Sequence, residues 1–156
     1  MVSYLVQLKE LPPSVVLRVR SSVPAEQIGE AVRTAFAQLT SAAVQAGLDP
    51  VGPTEVTYLR QFRPGEVAEI EADLPVSADP VRAGVGGLVR RPGRIVAHVF
   101  HKGPYEDITG AYQALIDWIQ RTGHRTVGHP TEVYLVGPNE DPLPENYLTE
   151  VVIPVE

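Results

Sequence analysis

Two stretches of this chain place a glutamate among residues that would let it hold a positive charge. One reads His129-Pro130-Thr131-Glu132-Val133-Tyr134-Leu135, the other Gly52-Pro53-Thr54-Glu55-Val56-Thr57-Tyr58-Leu59. Side chains on a strand alternate between faces, so Glu132 and Tyr134 share one face while Thr131, Val133 and Leu135 take the other. A carboxylate beside aromatic rings attracts a cation by charge, and a cation over a ring face gains a further ~0.5–2 kcal/mol. Buried and dry, the same carboxylate has a raised pKa, because burial penalises its charged form. The competing reading is a solvated glutamate on an edge strand.

A second pair follows the first. Ile70-Glu71-Ala72-Asp73-Leu74-Pro75-Val76 is echoed by Thr149-Glu150-Val151-Val152-Ile153-Pro154-Val155. Glu55 and Glu132 lie 77 residues apart, Glu71 and Glu150 79 apart, so two matches agree on nearly one spacing. That implies a duplication of about half the chain. Solenoid repeats run ~20–50 residues; a longer unit copied twice predicts one globule with a pseudo-two-fold axis. The seam between similar halves is then a natural cleft. Carboxylates near such an axis could share a site as acid and base, or be retained only for packing.

Aromatic candidates for the wall of a site are Tyr58, Phe100, Tyr105, Tyr112, Trp118 and Tyr134. Tyr105 follows Gly103-Pro104 at a loop-to-helix junction, where its ring can lean over a cleft. Tyr112 and Trp118 are six apart on the second helix, off one narrow stripe, which divides them between core and lining. The four histidines, His98, His101, His124 and His129, lack metal-ligand spacing, and without cysteine a zinc site would need an unusual ligand set; no metal and no cofactor are expected. Gly84, Gly86 and Gly87 fit neither nucleotide-binding fingerprint. No Gly-x-Ser-x-Gly elbow supports a serine nucleophile.

The elements that must position these residues are legible from periodicity. Residues 4–8 and 15–20 alternate as strands, with Pro12-Pro13 between them. Ser21-Ser22-Val23-Pro24 reads as the start of a helix, with Glu26 near its positive end. Ile28, Val32, Ala35, Phe36, Leu39, Ala43 and Ala46 form one face of that helix, which Gly47 stops. Strands follow over residues 54–62 and 67–76, separated by an Arg63-Pro64-Gly65 turn. The Gly/Pro-rich stretch 77–93 reads as the connection between half-repeats at about 1–78 and 94–156, with Arg90-Arg91 in a solvated loop. The second half repeats the plan: a strand over 95–100, a helix over 108–119 stopped by Gly123, and strands over 131–136 and 147–155. The predicted fold is α+β, an antiparallel sheet with two main helices over one face, in a single domain over residues 1–156.

Composition narrows the function. The net charge is −6, with 13 basic and 19 acidic residues divided evenly between the halves, so no basic face is available for direct nucleic-acid binding. The absence of cysteine removes disulfides and thiolate chemistry. No signal peptide and no membrane-spanning run is evident, which points to a cytoplasmic protein without membrane contact.

Lys102-Gly103-Pro104-Tyr105 before the second helix, Pro130-Thr131-Glu132-Val133-Tyr134 followed by Gly137-Pro138, and the terminal Leu148-Thr149-Glu150-Val151-Val152-Ile153-Pro154-Val155 together resemble the GyrI-like small-molecule-binding domain. That domain is also the effector module of AraC-type and MerR-type multidrug regulators such as Rob and BmrR, and the resemblance spans the whole chain. It implies a pseudo-two-fold fold, a duplicated β-β-α-β-β module in an antiparallel eight-stranded sheet, and a hydrophobic pocket between the halves, with an acidic residue that meets cationic aromatic ligands. Glu132, Tyr134, Tyr105, Tyr112, Trp118, Phe100, Tyr58, Glu55 and Glu150 are the expected ligand-binding residues. No DNA-binding helix-turn-helix accompanies the domain in this sequence, so a stand-alone role is expected. Some stand-alone relatives resemble cyclopropanoid hydrolases, which would make Glu132 and Tyr105 catalytic, and GyrI itself resembles an inhibitor of DNA gyrase. Binding module, hydrolase and protein-partner role therefore stand side by side.

Overall fold

The computed structural model describes residues 3–77 and 86–156. In chain order the elements are β1 (Gln7–Leu11), β2 (Ser14–Pro24), α1 (Ile28–Ala46), β3 (Asp49–Pro50), β4 (Glu55–Tyr58), β5 (Val67–Ser77), β6 (Leu88–Arg91), β7 (Arg94–Lys102), α2 (Thr109–Arg121), β8 (Thr131–Val136) and β9 (Leu148–Pro154). They sort into two compact units. Pro12–Gly93 makes a central-segment unit, and Met1–Leu11 joins Arg94–Glu156 in a terminal-segment unit. Every strand pairing within each unit is antiparallel, and the class is α+β.

In the central-segment unit β4, β5, β2 and β6 lie side by side, with the two-residue β3 paired to the far end of β5. Among the described residues β3 brings the strand total to nine where eight were expected. The helix forms as its apolar spacing predicts, and Ala35, Leu39 and Ala43 are its buried stripe. Gly47 ends it at φ 68°, a left-handed conformation that favours a residue without Cβ. The stripe packs on Leu17, Ala72, Leu74 and Val76. Alternation sends the intervening residues to the other face, where Arg18 stands opposite Asp73 and Arg20 opposite Glu71.

In the terminal-segment unit the order is β1, β7, β9, β8. Ala111, Leu115 and Ile119 of α2 press onto Ala97, Val99, Val151, Ile153 and Val155, with Tyr4, Val6, Ile108, Tyr112 and Trp118 packed around them. This layer fixes which residues of β7, β8 and β9 face the helix.

Several boundaries differ from the sequence reading. β2 runs through Pro24, and a 3-10 turn over Ala25–Gln27 precedes α1. Instead of accompanying the helix dipole alone, Glu26 accepts the Gly65 N–H at 2.8 Å and ties down that turn. The stretch read as a connection contains β6, whose Leu88 and Val89 stand opposite Leu17 and Val16. Two apolar residues among Gly, Pro and Arg are too short a signal to read as a strand. Arg91 is accordingly on a strand and not in a solvated loop. β1 begins at Gln7 and pairs with β7, so the first strand completes the unit built from the second half of the sequence. Gly84 lies outside the described residues.

Candidate functional site

On β8, Glu132 stands opposite Val151 and Tyr134 opposite Thr149. Val151 packs under α2, so this face of β8 is the helix-facing one. Tyr112, from α2, donates its hydroxyl to Glu132 Oε2 at 2.5 Å, and Tyr134 donates to Oε1 at 2.8 Å. Glu132 is 8% exposed, and burial raises its pKa above the ordinary carboxylate value, opposed by the two tyrosine hydrogen bonds and then by the electrostatic influence of His101.

A turn supplies a further wall. β7 ends at Lys102, and Gly103 at φ 130° adopts a conformation that other residues avoid; its N–H donates to the Tyr147 carbonyl at 2.9 Å. That turn delivers Tyr105, whose ring meets Tyr134 edge-on at 5.8 Å and Tyr147 at 5.1 Å. Burial, then the neighbouring Tyr147, Glu140 and Glu132, push the Tyr105 hydroxyl up to about 12, so it stays protonated and serves as a donor. A Cβ at Gly137 would come within 3.2 Å of that hydroxyl, so the Gly137-Pro138 of the motif leaves room for it.

His101 holds the turn. Its Nε2 is 2.9 Å from the Pro104 carbonyl, which can only accept, so Nε2 carries a hydrogen. Its Nδ1 lies 2.9 Å from the Tyr4 hydroxyl, so both ring nitrogens have a partner. The Tyr4 ring also lies where a Cβ on Gly110 would come within 3.1 Å, against the first turns of α2. Sequence reasoning overlooked Tyr4, His101 and Tyr147. Alternation along β7 could have assigned His101 to the helix-facing side with Ala97 and Val99, but it assigns no partner.

The remaining expected residues lie elsewhere. Trp118 stacks on His124 at 5.2 Å beside the core of the terminal-segment unit. Phe100 is 48% exposed on the face of β7 turned away from α2, edge-on to His98. Glu150 is on that same opposite face, paired with Lys9 and 2.8 Å from His98 Nδ1, a contact outside hydrogen-bond geometry. Tyr58 belongs to the central-segment unit, its ring 6.1 Å from Phe62. Glu55 binds Arg91 at 2.8 Å, Asp73 binds Arg18 at 2.9 Å, and Glu71 binds Arg18 and Arg20 at 3.0 and 2.9 Å.

The two Pro-Thr-Glu-Val copies do not place their glutamates alike. Glu55 stands opposite Asp73 and points away from α1, while Glu132 stands opposite Val151 and points toward α2. With Glu71 matched to Glu150, the register makes Val56, opposite Ala72, the counterpart of Glu132, and Thr131 the counterpart of Glu55. The motif has slipped by one residue between copies, which exchanges faces. Glu132 is thereby distinguished in charge as well. Of the five buried carboxylates among the described residues, Glu55, Glu71, Asp73 and Glu150 each have a cationic or histidine partner within 4 Å; Glu132 is held by two hydroxyls, and His101 acts on it only from further away. Among the described residues no cluster of three or more His, Asp or Glu could hold a metal, and no helix is long and apolar enough to cross a membrane.

Comparison with solved structures places this fold. The EcmrR C-terminal domain superposes with a TM-score of 0.80 at 24% identity, covering 98% of each chain. EcmrR in its complex with DNA superposes at 0.84 with the same identity, and there the present chain spans 57% of the longer protein. A hydrolase from Listeria innocua matches at 0.68 and 15% identity over 97% of this chain and 91% of its own. SAV2435 bound to tetraphenylphosphonium matches at 0.61 and 15% over 97% and 94%. No curated protein matches by sequence. The profile of the GyrI-like small molecule binding domain matches residues 6–156, and the chain belongs to that family.

Proposed function

We propose that this domain binds hydrophobic cations at Glu132, with Tyr105, Tyr112, Tyr134 and Tyr147 as the aromatic surface around the charge. The observation that carries the reading is the missing countercharge: a buried carboxylate held by two neutral hydroxyls, where every other buried carboxylate described is ion-paired. Burying an ionised carboxylate without a partner is strongly unfavourable, and a cation arriving with its own apolar body relieves that cost. Tyrosine rings favour the same ligand through their negative faces. Membership of a small-molecule-binding family and the tetraphenylphosphonium complex of a protein with this fold support the assignment. The test uses two ions of one shape and opposite charge. Tetraphenylphosphonium is expected to bind and tetraphenylborate is not; equal binding of both would contradict the proposal.

A hydrolytic reading of the same site rests on one observation of its own. Glu132, with its raised pKa, can hold or accept a proton, and the Tyr105 hydroxyl remains a donor, which together suffice for acid-base opening of a strained electrophilic ring. Each such group supplies about a hundred- to ten-thousand-fold. Mass spectrometry of cyclopropane-bearing aromatic compounds after incubation separates the readings: ligand recovered intact supports binding, and ring-opened product supports catalysis.

A further inference from the structure

Thr149 is fully buried, and its Oγ1 has no hydrogen-bond partner among the described residues. It lies on β9 two positions before Val151, and so on the helix-facing side, directly opposite Tyr134 on β8 and His101 on β7. Both ring nitrogens of His101 are committed, one to Tyr4 and one to the Pro104 carbonyl. The Tyr134 hydroxyl is spent on Glu132. A hydroxyl offering one donor and two acceptor positions therefore sits unused opposite Tyr134 and diagonally across the strand pair from Glu132, on the same face. Buried polar groups are satisfied in nearly all native structures, so an orphan next to a candidate binding group points to something that satisfies it.

Resting on the cation-binding reading of Glu132, we propose that Thr149 is a specificity determinant that selects protonated amines bearing N–H groups over permanently charged quaternary cations. One N–H of a primary ammonium is accepted by Glu132, which has acceptor positions beyond those its two tyrosines occupy, and a second by Thr149 Oγ1. A trimethylated cation has no hydrogen to give and leaves Thr149 unmatched. The aromatic rings alone would favour the opposite order, because an ammonium is the more strongly hydrated ion and loses more on leaving water. Because Glu132 also accepts an N–H, the signature of the hydroxyl is the part of that preference that disappears with Thr149 Oγ1.

The experiment measures calorimetric affinities of biphenylmethylammonium and its N,N,N-trimethyl counterpart for the wild type, Thr149→Val, Thr149→Ser and Glu132→Gln. The wild type is expected to favour the ammonium by about tenfold, the increment of one charge-assisted hydrogen bond. Thr149→Val, which keeps the shape and removes the hydroxyl, is expected to lower the ratio of ammonium to trimethylammonium affinity by about tenfold while leaving trimethylammonium affinity within about twofold. Thr149→Ser restores the hydroxyl and is expected to retain the preference. A wild type that binds both ions equally, or favours the trimethylated one, overturns the proposal without any variant. So does a preference that is undiminished in Thr149→Val. Glu132→Gln separates the two levels: if it weakens both ions while Thr149→Val changes neither, the cation site stands and the role of Thr149 falls. If neither ion binds the wild type, both fall.

Discussion

Glu132 differs from the other buried carboxylates in what its neighbours can give it. Tyr112 and Tyr134 donate hydrogen bonds but no charge, so burial dominates and the pKa stands above the ordinary value. The stability and affinity slopes then have opposite signs. The folded state holds the proton more tightly than the unfolded chain, so the stability Glu132 contributes is fully present below the unfolded carboxylate pKa and is lost as pH rises through the raised folded value. Glu132→Gln is expected to remove that part of the slope in denaturation curves. A cation requires the ionised form, so its affinity is expected to rise with pH over the same range and its binding to release a proton. Calorimetry in two buffers of different ionisation enthalpy measures the release, and an unchanged heat would contradict it. Alternation alone paired Glu132 with Tyr134 on one face. Tyr4 and His101 were beyond it, because they meet across 97 residues of sequence and neither carries a local signal of the other.

Short strands at the margins were the elements hardest to see. β6 supplies Arg91, whose guanidinium binds Glu55 at 2.8 Å and reaches Asp73 at 3.4 Å, with Nε on the Ser14 hydroxyl at 3.0 Å. Side chains on both sides of this pair are at most 14% exposed. Removing the cation leaves the buried Glu55 without its ion partner and Asp73 with Arg18 alone, so Arg91→Met is expected to destabilise the protein by about 3–5 kcal/mol. Urea denaturation checks the value, and a loss below about 1 kcal/mol would place Arg91 among ordinary surface ion pairs. The buried faces of the helices, by contrast, were legible, since Leu39 and Leu115 each sit in a stripe at helical spacing, although α1 begins at Ile28 and not near Pro24. The duplicated glutamate motif was legible as a duplication but misleading as a symmetry. A one-residue slip leaves the words of a repeat intact and reverses where its side chains point.

At the scale of the molecule, each unit takes one strand from outside its own half of the repeat: β1 goes to β7, and β6 goes to β2. The Glu132 site therefore depends on the first residues of the chain, through β1 and through Tyr4 on His101. A chain lacking residues 1–11 is expected to lose amide protection in β7, α2, β8 and β9 while β2, α1 and β5 keep theirs. Hydrogen exchange reads this directly, and uniform loss or uniform retention would contradict the division into units. The central claim is that Glu132 supplies the charge a hydrophobic cation needs. Equilibrium dialysis of tetraphenylphosphonium against the wild type and Glu132→Gln tests it most directly. Affinity is expected to fall by at least about tenfold in the variant, with the protein still folded, since a charge-assisted contact is lost and the shape is kept. A Glu132→Gln protein that binds tetraphenylphosphonium as tightly as the wild type would contradict the claim.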